Sequence, residues 1–462
     1  MAGAACSDDV HQPGSLNLEK TETVLAEFCK VLTQAQKEAD YALILKLNCS
    51  RMVVDICCFV KDSIANLDMS GDKAPLVAWK QNCNVMLCAL KWLGLLCKSR
   101  LAKLVLLLTG RVVLLADVAL AYLDMHFADD LKPHDVQGGP VLFLPQLLNV
   151  LTVQFLHMKP VPPECAREMQ ATLASYLLLS GLAEKLRDLF GRAEIRGLKF
   201  FDGASPLPVL LLRAMCFLET LVSAYRMQEA MHEQVLDIFR STELFGVVGI
   251  LVSILLSEGR REKGAKLPQT VVSLCMQALR ILNTIAGIDL GTLQKTLGAG
   301  QQQEFYHLLV SLLDYCTGRL PASLTKPGAG QAEESDLLHE TVVLLGFYCL
   351  EEPRNQTILC YGEGQALLAR LANLPLHYFM DERGKAILFP TILASCFKSE
   401  QNLEVLRTEM NLSLVRNFLA AQMEGDEVSA DGLPALACRF PRTLWQDALG
   451  FFGEPAPEVP AV

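Results

Sequence analysis

Histidines, cysteines and paired carboxylates are the groups with which this chain could do chemistry, and their spacing argues against most of it. A zinc centre needs close Cys or His pairs followed by a second pair at a set distance. The eight histidines (His11, His126, His134, His157, His232, His307, His339 and His377) are scattered, with no second histidine four residues on. Cys57-Cys58 and Cys83/Cys88 are the close cysteine pairs, and neither has a second pair behind it; core packing is the expected role. The acidic pairs Glu333-Glu334 and Glu351-Glu352 are expected as solvated carboxylates at helix ends or in loops. No Gly-rich phosphate cradle and no dinucleotide fingerprint opens a helix. The residues therefore predict no catalytic group, no metal, no cofactor and no small-molecule substrate.

Two weaker patterns point to binding. An asparagine on a groove-lining helix can hold the backbone of an extended partner, and Leu148-Asn149-Val150-Leu151 and Leu282-Asn283-Thr284-Ile285 have that form. Asn149 and Asn283 are thus candidate partner-groove residues; helix capping or solvation is the plainer role. Arg260, Arg261, Lys263 and Lys266 crowd four cations into seven residues after an apolar run, a candidate edge for ribosomal or other structured RNA. An ordinary solvated loop accounts for the same residues, and Arg192, Arg196 and Lys199 form a weaker copy. Neither cluster is interleaved with the aromatic residues that single-strand stacking requires.

The elements that must position these groups are all helical. Between 337 and 421 the chain repeats itself: Asn402 follows Asn355 by 47 residues, Cys396 follows Cys349 by the same step, and the apolar residues between them recur in register. A period of ~40–47 residues built from short amphipathic helices is the signature of armadillo and HEAT repeats. At 462 residues the chain exceeds what one core supports. The expected fold is all-α, an armadillo/HEAT-like α-solenoid. A net charge of −10 argues against binding nucleic acid by bulk charge. The polar first 18 residues do not read as a secretory signal, and the cysteines lie mostly in apolar helical runs, so a reducing cytoplasm is expected. The apolar stretch 101–123 is interrupted by Lys103, Arg111 and Asp117, and 206–225 by Arg213 and Glu219, so no transmembrane span is expected.

In chain order, residues 1–20 read as a disordered tail and 21–425 as the repeat domain. Loops fall near 66–75, 128–140, 191–208, 257–267 and 318–335, where Gly, Pro and charge collect. Gly181, Gly246 and Gly362 sit at sharp joins between helices, where φ > 0 is wanted. A polar break follows from 426, then a helix over about 441–452 carrying Leu444, Ala448, Leu449 and Phe452 on one stripe, then a frayed C-terminus. That helix either caps the stack or binds a partner.

Leu337-Leu338-His339-Glu340, Asn355-Gln356, Leu374-Pro375 with Tyr378-Phe379 and Asp381, Leu388-Phe389-Pro390 with Leu393-Ala394 and Cys396, and Gln401-Asn402 resemble one family. It is the S-phase cyclin A-associated protein of the endoplasmic reticulum family, in its C-terminal helical region. The likeness is densest over 337–421 and extends back over 225–313. It implies a non-enzymatic adaptor linked to cyclin A and cell-cycle regulation. It also implies a link to ribosome-associated decay of tubulin mRNA, with a tetratricopeptide sensor of nascent tubulin and the ribosome as partners. The family's cyclin-binding segment, charged coiled coil and zinc finger have no counterpart here, so a short form or fragment is expected and cyclin A is the less secure partner. The implied placement is cytoplasmic or peripheral to the endoplasmic reticulum, with the nucleus left open. The alternative is a helical membrane-associated protein of that organelle, anchored near 101–123.

Overall fold

A computed structural model describes residues 17–34, 38–66, 73–124, 140–156, 164–195, 207–226, 237, 240, 246–258, 266–298, 302–319, 329–360, 365–425 and 435–453. Every regular element among them is a helix. The chain divides into two compact units at Leu173/Ala174.

The first unit holds α1 Leu18–Gln34, α2 Glu38–Lys46, α3 Cys49–Ala65, α4 Lys73–Leu96, α5 Arg100–Leu108, α6 Arg111–Asp124 and α7 Pro140–Phe155, and ends inside α8 Glu164–Leu179. Helices pack on the element three places later: α1 on α4, α4 on α7, α2 on α5, α3 on α6. That three-helix step is how armadillo repeats stack. Each helix turns an apolar stripe inward, and Val53, Val85, Leu90, Trp92, Leu120 and Phe143 are among the buried residues.

The second unit continues with α9 Leu182–Ile195, α10 Leu207–Arg226, α11 Val247–Glu258, α12 Gln269–Ala286, α13 Leu290–Gly298, α14 Gln302–Thr317 and α15 Ala329–Cys349. After these come α16 Pro353–Thr357, α17 Leu367–Ala372, α18 His377–Met380, α19 Glu382–Cys396, α20 Glu400–Glu409, α21 Ser413–Glu424, α22 Leu436–Arg439 and α23 Trp445–Phe451. The long helices α10, α12, α15 and α19 lie side by side in one row; α13, α16 and α20 make a second, and α9, α11 and α14 a third. The all-α, armadillo/HEAT-like reading holds within each unit.

Side-chain amides tie the rows together at the repeat period. Gln294 on α13 donates to the carbonyls of Phe347 (2.9 Å) and Leu350 (2.7 Å) at the end of α15. Gln356 on α16 does the same to Ala394 (2.9 Å) and Phe397 (3.1 Å) at the end of α19. The last carbonyls of a helix have no partner within it, and these glutamines supply one from the preceding repeat. Asn355 reaches back to the Tyr348 carbonyl (2.9 Å), and Asn402, 47 residues later, to that of Ser395 (2.6 Å). The turn residues Glu351 (φ 53°) and Lys398 (φ 64°) share the same register in left-handed backbone.

Pro390 lies inside α19 and cannot supply the backbone N–H that would otherwise meet the Ala386 carbonyl. The buried Arg439 of α22 fills the gap: its Nη1 donates to Ala386 O (2.9 Å) and its Nη2 to Thr391 Oγ1 (2.6 Å). Thr391 in turn donates to the Val342 carbonyl of α15 (2.7 Å), across a helix pair brought close by Gly346. Phe440, Trp445, Ala448 and Phe452 are buried, and Phe397 stacks edge-on against Phe440 and Phe451. The C-terminal segment thus packs against the end of the row, as a 3-10 turn at Arg442–Leu444 followed by α23 rather than one helix over 441–452.

Several boundaries differ from those read in the sequence. The first helix starts at Leu18 because Asn17 caps it, its Oδ1 accepting from the Lys20 N–H at 3.1 Å. The expected loop near 66–75 gives way to helix at Lys73, with Pro75 tolerated in the first turn. Helix likewise enters the expected loops at 140, 191–195, 207–208 and 257–258. The expected loop at 318–335 is helical from Ala329. Glu334, expected in solvent, is buried there and faces Lys266 across 3.6 Å. Gly181 and Gly246 do adopt positive φ (83° and 68°), whereas Gly362 lies outside the described residues.

Candidate partner-binding face

The row α12–α15–α19 carries a polar cluster on sequence-local helix chemistry. Arg280 and Asn283 sit one turn apart on α12, so both point at the same stretch of α15. Arg280 Nε meets Glu340 Oε1 at 3.0 Å, and Asn283 Nδ2 donates to Glu340 Oε2 at 2.9 Å and to the Glu340 carbonyl at 3.1 Å. Asn283 is half-buried and committed to this clamp between neighbouring repeats. Glu340 also acts at longer range on Arg439, opposing the burial that pushes that guanidinium down to about 9.

One turn up α15, Ser335 Oγ lies 3.3 Å from His339 Nε2. Tyr378 stands edge-on to the His339 ring at 5.7 Å, and His377 stacks tilted on Tyr378 at 4.4 Å. Burial, reinforced by the charges of Arg383 and His377, pushes His339 down to about 4. A hydroxyl beside an imidazole is half of a nucleophile pair. Among the described residues the imidazole has aromatic and basic neighbours rather than a carboxylate to orient it.

A folded-state value near 4 against an unfolded value of ~6.5 has a definite consequence. Below pH 6.5 the unfolded chain takes up a proton that the folded one refuses. Stability from the neutral ring is complete above that pH and falls as pH drops toward 4. The expected loss between pH 7 and pH 5 is about 2 kcal/mol. In urea unfolding at those two pH values, His339→Gln should remove most of that difference.

The other candidates fare unevenly. Asn149 is half-buried on α7 in the first unit. Arg260, Arg261 and Lys263 lie outside the described residues, as do Arg196 and Lys199. Lys266 is described, and it is turned toward the buried Glu334. The cysteines behave as packing groups: burial raises Cys83, Cys97, Cys316 and Cys349 to about 12, which keeps the thiols protonated and inert. No group of three metal-ligating side chains forms among the described residues. The stretch 101–123 is two helices bent by 79° at Gly110, so it does not run as one straight span. Among the described residues one helix, over Leu207–Ala224, is long and apolar enough to cross a membrane, and 56% of it is buried inside the protein.

Arg280, Ser335 and Arg383 had no signal as site residues in the sequence. Glu340 and Tyr378 appeared there only within a string of family resemblance, and His339 in that string and among the scattered histidines.

No known family's sequence profile matches the chain. A stretch of 232 residues is 30% identical to the S phase cyclin A-associated protein in the endoplasmic reticulum of Homo sapiens. The match covers 46% of this chain and 16% of that protein, so the chain spans well under a fifth of its relative's length. The resemblance drawn from the residue strings is borne out over that stretch.

Proposed function

We propose that the chain is a non-catalytic adaptor that holds protein partners against its rows of stacked helices. The supporting observation is the α12–α15–α19 row, where Arg280, Asn283 and Glu340 lock neighbouring repeats into one firm polar face. Side chains already fixed in place lose little further freedom when a partner arrives. The relative's name supplies the first partner and place to test: cyclin A, at the endoplasmic reticulum.

Calorimetric titration of the purified chain with cyclin A tests the partner, and a saturable one-to-one complex is the expected result. Absence of binding removes cyclin A from this reading. Alkaline carbonate should strip the chain from endoplasmic-reticulum membranes; retention in the pellet would favour an anchored protein instead. The ribosome and the tetratricopeptide sensor, implied by resemblance, belong to the same reading. Charge reversal at Arg260, Arg261 and Lys263 should then lower ribosome co-sedimentation at low salt.

A further inference from the structure

The C-terminal segment 435–453 is built unlike the helices it lies on. Its elements are α22 with four residues, a 3-10 turn with three and α23 with seven. All fall well short of the ~12–15 residues an isolated helix needs in water, so the segment takes its shape from the surface beneath it. α22 lies against α19 and α23 against α21. Leu436, Arg439, Phe440, Trp445, Ala448 and Phe452 are buried, and the Trp445 indole donates to the segment's own Phe440 carbonyl at 2.9 Å. Arginine and aromatic anchors on a strip of short turns are what a bound peptide presents.

The socket that receives Arg439 is made by α15 and α19. Pro390 frees the Ala386 carbonyl, and Thr391 is held by its own bond to the Val342 carbonyl at 2.7 Å. Gly346 leaves room for that threonine, since a Cβ there would lie 2.8 Å from Thr391 Oγ1. Neither feature depends on the segment, so two acceptors face one site whether or not it is filled. The planar guanidinium of Arg439 spans both, at 2.9 and 2.6 Å.

The fit carries a cost. Both of these acceptors are neutral, and the carboxylate that acts on Arg439, Glu340, does so from farther off, its oxygens held by Arg280 and Asn283. A cation buried without a paired carboxylate offsets part of what the apolar contacts contribute. The two acceptors require donors, not a charge, so the charge brings docked and released states closer in free energy. We propose that residues 435–453 are an internal ligand of this row, and that the Arg439 socket takes an arginine–aromatic segment of a partner protein in exchange for it. Partner docking and release of the segment are then one step. This deepens the adaptor reading and rests on it.

The test uses the full chain with a protease recognition sequence inserted between Gly432 and Leu433. The probe is a fluorescein-labelled peptide of residues 433–455 carrying Cys438→Ser, read by anisotropy. While tethered, the chain's own segment competes at an effective concentration on the order of millimolar, so the uncut chain should bind the peptide weakly. Cutting should strengthen binding about tenfold or more as the freed segment exchanges for the peptide. The peptide with Arg439→Ala should bind the cut chain about tenfold more weakly than its parent. In the uncut chain, Arg439→Ala should strengthen binding of the parent peptide without the cut. A second peptide, keeping only the arginine, phenylalanine and tryptophan at their spacing on an alanine–serine background, should compete with the first. Its failure to compete confines the socket to the chain's own segment and overturns the exchange with a partner. Loss of helicity on cutting, a segment that stays in place against excess peptide, or equal binding of the arginine and alanine peptides marks 435–453 as a fixed part of the fold and overturns the proposal. Peptide exchange without a cyclin A complex in the calorimeter keeps the socket and discards only that partner. A cyclin A complex without peptide exchange keeps the adaptor and overturns the internal ligand.

Discussion

Gly384→Ala is expected to destabilise the second unit by about 1–3 kcal/mol, the range for forcing an atom into a packed site. The new Cβ would fall 2.6 Å from the His377 carbonyl oxygen and 2.7 Å from the Tyr378 Cα. Both are backbone atoms, so no rotamer change relieves the contact; α18 must move away from α19. Tyr378 is buried against His339, so the movement should also admit water to that ring and raise its depressed value toward the ordinary imidazole range. Chemical denaturation followed by tyrosine fluorescence measures the first effect, and an NMR titration of His339 the second. Gly450→Ala, where a Cβ meets nothing within 4 Å, is the matched control and should change stability little. A variant at Gly384 as stable as the parent would mean that the turn between α18 and α19 is held more loosely than its contacts indicate.

Gln356→Leu should cost about 2–4 kcal/mol, because it leaves two buried carbonyls, Ala394 O and Phe397 O, without donors in a site that water does not reach. Asn402→Ala removes donors from Ser395 O and from the backbone carbonyl of Gln356 itself, at 2.6 and 3.0 Å. The two changes touch one connected set of groups, so their costs should fall short of additive in a double-mutant cycle. Thermal unfolding of the single and double variants, with hydrogen exchange of the 394–397 amides as a local readout, measures both the size and the coupling. Strict additivity would argue against a shared network.

The period of this ladder is legible in the sequence, its rungs only in part. Asn355 and Asn402 announce themselves by their 47-residue separation, and each does the same job on a carbonyl seven residues earlier. Gln356 gave no such signal, since the position 47 residues on is Leu403. Its true counterpart, Gln294, lies on the earlier side at a spacing stretched by the chain between α13 and α15. The helical start of α15 was hidden by composition: glycine and proline ahead of a run of acids read as a loop, and burial of Glu334 came from its neighbours. The plug of Arg439 into the gap left by Pro390 has no periodicity at all. Nor could exposure of Leu376 and Met380 be read from their residue types, which alone suggest a core. Local period gave the architecture; contacts between residues some 50 apart decided which polar groups are structural and which are left facing outward.

The glutamine rungs also constrain how such a chain can change its length in descent. Each rung joins an amide in one repeat to the closing carbonyls of the next, so Gln294 and Gln356 present the same chemistry to Leu350 and Phe397. Excising one entire repeat would place Gln294 opposite the carbonyls that Gln356 now serves and leave every remaining rung matched. Excising half of one would strand both donors and acceptors. Duplication or loss in whole multiples of the period is the change this lineage could tolerate, and the 47-residue spacing is the mark such events would leave.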